Sequence, residues 1–336
     1  MTGGVGTVVG QRSNGGLPGL RLGINTCFAA KRWPEPKRCA ELIVGRLGLR
    51  DCQVSLDLAD PVREGRAAFA YAAQVRAACE DAGIRLHSTF TGLSAYATNG
   101  LLHPDEAMRS VAQRWFEACI ELSAAMGAPG TGGFLGALSV ADAADARRRR
   151  ELTAELGDRM QGLAESAAAA GLDFLMMENM AVTREPGHSM VEAHELEGVV
   201  SGSAVPWRLC LDLGHPAALQ TSDPSGDPVA WLRESWAQVP VIQLQQANRT
   251  GDHHWPFTPS HNADGLVVAA DVLSALGERA AVDPCLLLEI IHAHEADDER
   301  VLDDLVTSVA YWREAMSEAA QRASDSEQAA GKPAGG

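Results

Sequence analysis

An acidic residue and a histidine stand close together at the end of an apolar run. The run 209–213 contains Asp212, and His215 follows two positions after it ends. Side chains three positions apart on a regular strand point to opposite faces. The two residues can therefore share one site only if the strand ends near residue 213, and the Gly and the Pro that flank His215 favour a turn there.

Other apolar runs also carry polar residues near their ends. Glu178 ends the run 172–179 together with an Asn, Gln243 lies in 239–246, and Glu289 lies in 285–291. Several uncompensated acids meeting at one place would repel each other strongly, and a bound divalent cation removes that repulsion. Carboxylate oxygens with an amide or an imidazole nearby suit Mn²⁺, Mg²⁺ or Co²⁺, whereas Zn²⁺ is less favoured because the set contains no thiolate.

These residues must be positioned by a repeating strand–helix unit. Such alternation is typical of α/β proteins with parallel strands, and eight uninterrupted repeats predict a single (β/α)8 TIM barrel over residues 21–319. A doubly wound dinucleotide fold is the alternative, but no G-x-G-x-x-G follows the first strand. The eight predicted strands are 21–29, 52–58, 84–90, the Gly-rich 127–134, 172–179, 207–213, 239–246 and 285–291, and the predicted helices are 63–82, 104–126, 143–170, 226–237, 267–280 and 297–319.

Composition narrows the class of protein. The chain has 336 residues and a formal net charge of −16, which disfavours nucleic acid as a partner. The sequence contains no apolar run long enough for a membrane span, and seven scattered Cys without a C-x-x-C are typical of reduced thiols, so we expect a cytoplasmic protein. Residues 1–20 are predicted to form a flexible leader and 320–336 a disordered tail.

Five short motifs resemble the xylose-isomerase-like sugar isomerase/epimerase superfamily over about residues 21–315, and within it the ketose 3-epimerases and the tetrulose-phosphate (erythrulose 1-phosphate) 3-epimerases. The motifs are "LHSTFTG", "MMEN", "LDLGH", "IQLQQANR" and "LLLEI", in that order. The resemblance implies that Glu178, Asp212, Gln243 and Glu289 are metal ligands, that Glu178 and Glu289 are the two catalytic bases, and that His215 and Arg249 contact the substrate.

The sequence departs from that pattern at two positions. Gln243 stands where ketohexose epimerases have His, and Arg184 stands where they have a Glu that contacts a substrate hydroxyl. An amide oxygen still binds a hard cation, and a positive residue at 184 suits a more anionic substrate. The remaining candidates for substrate binding are Lys31 and Arg32 after the first strand, His87 on the third, and His254, with His253 and His261, after the seventh. These cations either form a phosphate pocket or are ordinary loop residues.

The resulting hypothesis is a metal-dependent epimerase that inverts C3 of a short ketose phosphate, such as erythrulose 1-phosphate, through a cis-enediolate. An aldose–ketose isomerase would use the same site, and a dehydratase of the same fold would need an acid such as His87 or His292. A related DNA-repair endonuclease is disfavoured by the net charge, and a non-catalytic sugar-binding protein is disfavoured by the pair of glutamates. The expected partner is a small sugar or sugar phosphate, without nucleic acid or membrane, and the expected assembly is a homo-oligomer, a dimer or a tetramer.

Overall fold

The computed structural model describes residues 19–236, 238–278 and 284–330, with side chains described as far as residue 325. The predicted leader therefore lies almost entirely outside the described residues, as does the end of the predicted tail. The strands are β1 (Arg21–Asn25), β2 (Asp51–Ser55), β3 (Arg85–Phe90), β4 (Gly130–Gly133), β5 (Phe174–Glu178), β6 (Trp207–Asp212), β7 (Val241–Leu244), β8 (Gln246–Asn248), β9 (Gly251–Trp255) and β10 (Cys285–Leu288).

Eight of these strands form one parallel sheet that curls into a nearly closed barrel. The strand order is β3-β2-β1-β10-β7-β6-β5-β4, so the two edges are β3 and β4. A backbone hydrogen bond of 2.9 Å from Thr91 N to Gly132 O joins these edges. The predicted TIM barrel and all eight of its strands are confirmed.

The helices cover the outside of the barrel, and the longer ones, such as α3, α5, α7 and α12, bury an apolar stripe at helical spacing. Among the longer helices, Asp105 caps α5 and Asp145 caps α7 by accepting backbone N–H bonds. The helices are α1 (Pro36–Glu41), α2 (Pro61–Glu64), α3 (Arg66–Ala82), α4 (Leu93–Tyr96), α5 (Glu106–Met126), α6 (Val140–Ala144), α7 (Ala146–Ala170), α8 (Met190–Val199), α9 (Gly214–Ala218), α10 (Pro228–Arg233), α11 (Pro259–Asp264), α12 (Ala269–Gly277) and α13 (Asp298–Ala330).

The structure differs from the sequence-based expectation in several elements, among them helix α1, which was not predicted. The predicted seventh strand ends at Leu244, and the chain then forms an antiparallel hairpin, β8–β9. Helix α8 lies where no helix was predicted. Helix α13 continues to Ala330, beyond the boundary predicted at residue 319. Among the described residues, no helix combines the length and the apolar character that a membrane span requires.

The inward faces of the strands change from apolar to polar toward their C-terminal ends. Side chains alternate across a strand, so one inward row on β5 is Phe174, Met176 and Glu178, and the row on β10 is Cys285 and Leu287, continued by Glu289. The lower members of these rows pack into one apolar cluster inside the barrel. The acidic residues therefore lie at the mouth, where the C-terminal ends of parallel strands meet.

Strand β4 is rich in glycine because the neighbouring residues leave no room for side chains. A Cβ on Gly132 would lie 2.0 Å from the carbonyl oxygen of Met176, and the residue has φ +148. The strand is fully buried in the barrel wall.

Candidate active site

Glu178, the last residue of β5, is almost completely buried and is held by one of its two oxygens. The phenol of Tyr96 donates a hydrogen bond to Oε2. Oε1 is buried without a hydrogen-bond partner, and it lies 3.7 Å from Nδ1 of His215. Tyr96 ends α4, and its ring stacks on Phe134 with a centroid separation of 4.8 Å. The carboxylate is thus anchored at one oxygen and available at the other.

Glu289, directly after β10, has the same arrangement with different donors. Oε1 accepts hydrogen bonds from Nδ2 of Asn25 at 2.9 Å and from Nε2 of Gln243 at 3.0 Å. Oε2 is buried without a partner. Asn25 and Gln243 also bind Oε1 of Gln53, at 2.8 and 3.1 Å, so an amide network supports Glu289 from inside the barrel.

Asp212 lies between these two glutamates, at the end of β6. Its Oδ1 accepts the backbone N–H of Gly214 at 2.6 Å and that of His215 at 3.0 Å, which forms the turn into α9. That turn places His215 beside Asp212 and Glu178, as the spacing of the two residues requires. The ring of His215 is buried, and its Nδ1–H donates to the carbonyl oxygen of Asn179 at 2.6 Å because a carbonyl oxygen only accepts.

The hairpin β8–β9 folds over the mouth and brings Asp252 and His254 to this cluster. Oδ2 of Asp252 lies 3.3 Å from Nε2 of both His215 and His254. Gln245, which follows β7, accepts the backbone N–H of His254 at 2.7 Å, and its amide nitrogen lies 3.2 Å from Oδ1 of Asp212 and 2.7 Å from Oδ1 of Asp252. The hairpin is therefore fixed to the barrel by side chains of the site itself.

The electrostatics of the cluster follow from burial and close approach. Burial raises the pKa of Glu178 to about 8, although nearby His215 opposes the shift, and burial raises the pKa of Glu289 well above its usual value against the effect of His254. Burial alone would lower the pKa of His254, but Asp252 raises it to about 10. Burial alone would raise the pKa of Asp252, but the two imidazoles lower it well below its usual value.

The residues at the mouth fit a divalent cation. Three acids that are at most 3% exposed converge here, and two of their oxygens have no hydrogen-bond partner. Two sets of three side chains have potential ligand atoms within 4.8 Å of one another, and Asp212 belongs to both sets. The first set is Glu178, Asp212 and His215, and the second is Asp212, His254 and Glu289. A third set, His215, Asp252 and His254, overlaps with both. Oxygen ligands with one or two imidazoles suit Mn²⁺, Mg²⁺ or Co²⁺ better than a thiolate-binding metal.

The three arginines that were predicted to bind substrate donate hydrogen bonds from their guanidinium groups to backbone carbonyl oxygens. Arg32 donates to Ala293 O at 2.6 Å and to Ala296 O at 3.0 Å, and it also pairs with Asp298. Arg184 donates to the carbonyl of residue 138 at 3.0 Å, and Arg249 donates to the carbonyl of residue 219 at 2.8 Å. Each of these arginines joins two loops of the mouth. Lys31 is exposed in the turn after β1.

The structure does not bring His87 to the cluster. Its ring lies 6.0 Å from that of Phe174, the first residue of β5, and its charged neighbours are Arg21, Asp51 and Arg208, all near the N-terminal ends of their strands. His87 is therefore at the opposite end of the barrel from the acids. His292 is near the mouth but binds Asp304 of α13 at 3.2 Å.

Several residues of the site were not predicted, among them Asn25 and Gln53 below Glu289 and, at the mouth, Tyr96, Asp252 and Glu185. The pKa of Glu185 is raised by burial and lowered by nearby His215, so its carboxyl is electrostatically close to that imidazole. Glu185 directly follows Arg184, the position at which the family pattern has a Glu. The D-x-H spacing of Asp252 and His254 was the available sequence signal, because it places both side chains on one face of a strand.

Comparison with known proteins agrees with this geometry. A family model described as the xylose isomerase-like TIM barrel matches residues 46–319. The chain belongs to this family. Among family members, D-erythrulose 1-phosphate 3-epimerase from Brucella abortus (strain 2308) is 29% identical over 296 residues, which cover 87% of this chain and 95% of that protein. The predicted resemblance is confirmed.

Solved structures give the same fold for this xylose isomerase-like barrel. A protein from Rhodospirillum rubrum ATCC 11170 that carries the name of a xylose isomerase has 33% identity and a TM-score of 0.82, and the match covers 88% of this chain and 99% of that one. The structure of L-ribulose 3-epimerase has 18% identity and a TM-score of 0.65, and the match covers 94% of this chain and 100% of that one.

Proposed function

We propose that this protein is a divalent-metal-dependent epimerase that inverts C3 of a short ketose phosphate through a cis-enediolate. One observation carries the proposal: Glu178 and Glu289 each hold one oxygen in protein hydrogen bonds and leave the other buried and unpartnered. Proton exchange on the two faces of one carbon requires two such carboxylates on opposite sides of the substrate. Glu178 and Glu289 meet this requirement, because β6 and β7 lie between the strands that carry them. A sugar-binding protein would have no need for both.

Each side chain then has a defined role. One glutamate removes the proton from C3, and the other returns a proton to the opposite face. Asp212, Glu178 and Glu289 would hold the cation, which supplies Lewis acidity that offsets negative charge developing on the substrate oxygens. His215 can orient a substrate oxygen, because Asn179 fixes its ring and burial excludes water from it.

The choice of substrate rests on the resemblance to the Brucella abortus protein, whose name specifies D-erythrulose 1-phosphate. Because Arg32, Arg184 and Arg249 are bound to loop carbonyls, the imidazole of His215 remains beside the acids to donate to an anionic substrate.

Incubation of the Mn²⁺-loaded protein with erythrulose 1-phosphate in D₂O tests the proposal. We expect deuterium at C3 by NMR together with the C3 epimer, and no exchange after chelation. Glu178→Gln and Glu289→Gln should each lower exchange by at least about 10²-fold, whereas Glu121→Gln, at an exposed position of α5, should not. Deuterium at C1 of unphosphorylated erythrulose, without exchange at C3 of either compound, would identify an aldose–ketose isomerase, because the esterified C1 oxygen of the 1-phosphate cannot become an aldehyde. Absence of any carbon-bound exchange would refute the proposal.

A further inference from the structure

The side chain of Gln243 lies below the cluster and is fully engaged there. In the parallel register of β7 and β10, Gln243 pairs with Leu287, so Glu289 lies one pleat higher, level with Gln245. The amide nitrogen of Gln243 donates to Glu289 Oε1 at 3.0 Å and to Gln53 Oε1 at 3.1 Å, and its oxygen accepts the thiol of Cys210 at 3.2 Å. No exposed surface remains on this side chain.

The hairpin β8–β9 places the imidazole of His254 level with Glu289, one pleat above Gln243. Nδ1–H of His254 donates to the carbonyl oxygen of Glu289 at 3.1 Å, so Nε2 carries the lone pair of the neutral ring. That nitrogen lies 3.3 Å from the amide nitrogen of Gln245, a contact that a bound cation would replace. A histidine that donates one ring N–H to a backbone carbonyl is the usual arrangement of a metal ligand. The backbone of His254 has φ 49, in the left-handed region that a non-glycine residue adopts at some energetic cost.

We propose that His254 supplies the nitrogen ligand of the cation held by Asp212 and Glu289, and that Gln243 supports Glu289 from below without binding the cation. The assignment rests on the proposed function, because it concerns the metal of that same site. Ligand atoms of Asp212, His254 and Glu289 lie within 4.8 Å of one another, and ligand atoms about 2.1 Å from a common metal are about 3.0–3.4 Å apart. Small side-chain rotations close that difference.

A cation could instead lie among Glu178, Asp212 and His215, with His215 as its one imidazole, or among His215, Asp252 and His254. Asp252 Oδ2 lies 3.3 Å from Nε2 of both rings. In that location the cation would carry two imidazole nitrogens and would not contact Glu289. The number of coordinated nitrogens and their sensitivity to substitution at His215 therefore distinguish the three arrangements.

Electron spin-echo envelope modulation of the Mn²⁺-loaded protein, recorded without sugar, tests the assignment. We expect ¹⁴N modulation from one coordinated imidazole, retained in His215→Gln and Gln243→Ala but absent in His254→Gln and His254→Asn. Mn²⁺ affinity should fall by about tenfold or more in the His254 variants. His253→Gln is the matched control, because that neighbouring ring stacks on Trp255 at 3.7 Å and binds Thr250 and Asn248 instead. Circular dichroism confirms that each variant folds.

Retention of the modulation in both His254 variants would overturn the assignment, as would its loss in His215→Gln. The result is independent of catalysis. A protein that shows the His254 coupling but exchanges no proton at C3 would keep the ligand and refute the epimerase. A protein that exchanges at C3 while His254→Gln retains the modulation would refute the ligand alone.

Discussion

The phenol of Tyr96 donates its hydrogen to Oε2 of Glu178, a residue 82 positions away in the chain. Burial and the adjacent carboxylate raise the pKa of Tyr96, so the phenol stays protonated and remains a donor. Helix α4, which ends at Tyr96, is itself fixed by Asp57, whose carboxylate accepts the backbone N–H of Leu93 at 2.7 Å and of Ser94 at 2.9 Å. Tyr96 therefore positions the proposed base.

Replacement of Tyr96 by Phe should lower kcat about tenfold or more with little change in KM. A hydrogen bond to a charged group contributes about 1.5–3 kcal/mol, and here it orients the carboxylate of Glu178. Steady-state kinetics would measure both constants. Tyr71→Phe is the control, because its phenol donates to Pro34 O at 2.7 Å, away from the site. Equal losses in the two variants would contradict a positioning role for Tyr96.

The metal-free protein should become less stable as the pH rises from about 5 to 8. The pKa of Glu178 is about 8 in the folded protein and about 4.5 when unfolded, so the folded state binds more protons in that window and its free energy of unfolding falls with increasing pH. Added Mn²⁺ should offset this loss, with a stabilisation that grows with pH. Thermal unfolding with and without Mn²⁺ measures the effect. A stabilisation that does not depend on pH would contradict the prediction.

His87 should make the protein sensitive to acid between pH 6.5 and 4. Burial lowers the pKa of His87 to about 4, so the folded protein keeps this ring neutral where the unfolded chain protonates it. Its contribution to stability is present above pH 6.5 and is lost as the pH falls, by on the order of 2 kcal/mol. Denaturant unfolding of His87→Gln should show a smaller loss over this range than the parent protein. His294→Gln, in an exposed loop, should leave the profile unchanged.

Gly132 should not tolerate a side chain. In Gly132→Ala the new Cβ would lie 2.0 Å from Met176 O, so we expect a loss of about 3 kcal/mol or more in the free energy of unfolding. Gly162→Ala in α7 is the matched control, because there the nearest atom to the Cβ is the flexible end of Gln113 at 3.8 Å. That variant should be stabilised by about 0.5–1 kcal/mol. Equal stabilities of the two variants, measured by denaturant unfolding, would contradict this account of β4.

The sequence predicted the architecture well, because barrel strands carry their own signal. The inward row of β5 ends in Glu178 and that of β6 ends in Asp212, and a period of two is visible in a single segment. The helices α1 and α8 and the hairpin β8–β9 were missed. The hairpin residues 246–255 are polar and aromatic, without an apolar run to indicate a strand.

The positions of the charged side chains could not be read from the sequence. Arginine is a common phosphate ligand, yet the guanidinium groups of Arg32 and Arg249 bind carbonyl groups of loops. The carbonyl bound by Arg249 is 30 positions away in the chain, and one bound by Arg32 is 264 positions away. His87 lies on a barrel strand as predicted, but three positions before its end, so it is level with the lower layer of the barrel. Residue type defines what a side chain can bind, but only the register of the strands defines the layer of the barrel in which that side chain lies.

The amino-acid sequence by itself determined the order of strands and helices and the placing of acids at the ends of strands. Those features depend on local periodicity, which each segment contains independently of the others. Only the tertiary structure decided that Tyr96 holds Glu178, that Asn25 holds Glu289 across 264 positions, and that the hairpin brings His254 over Asp212. These contacts join segments whose separation in the chain carries no information about distance, and closure of the barrel brings them together.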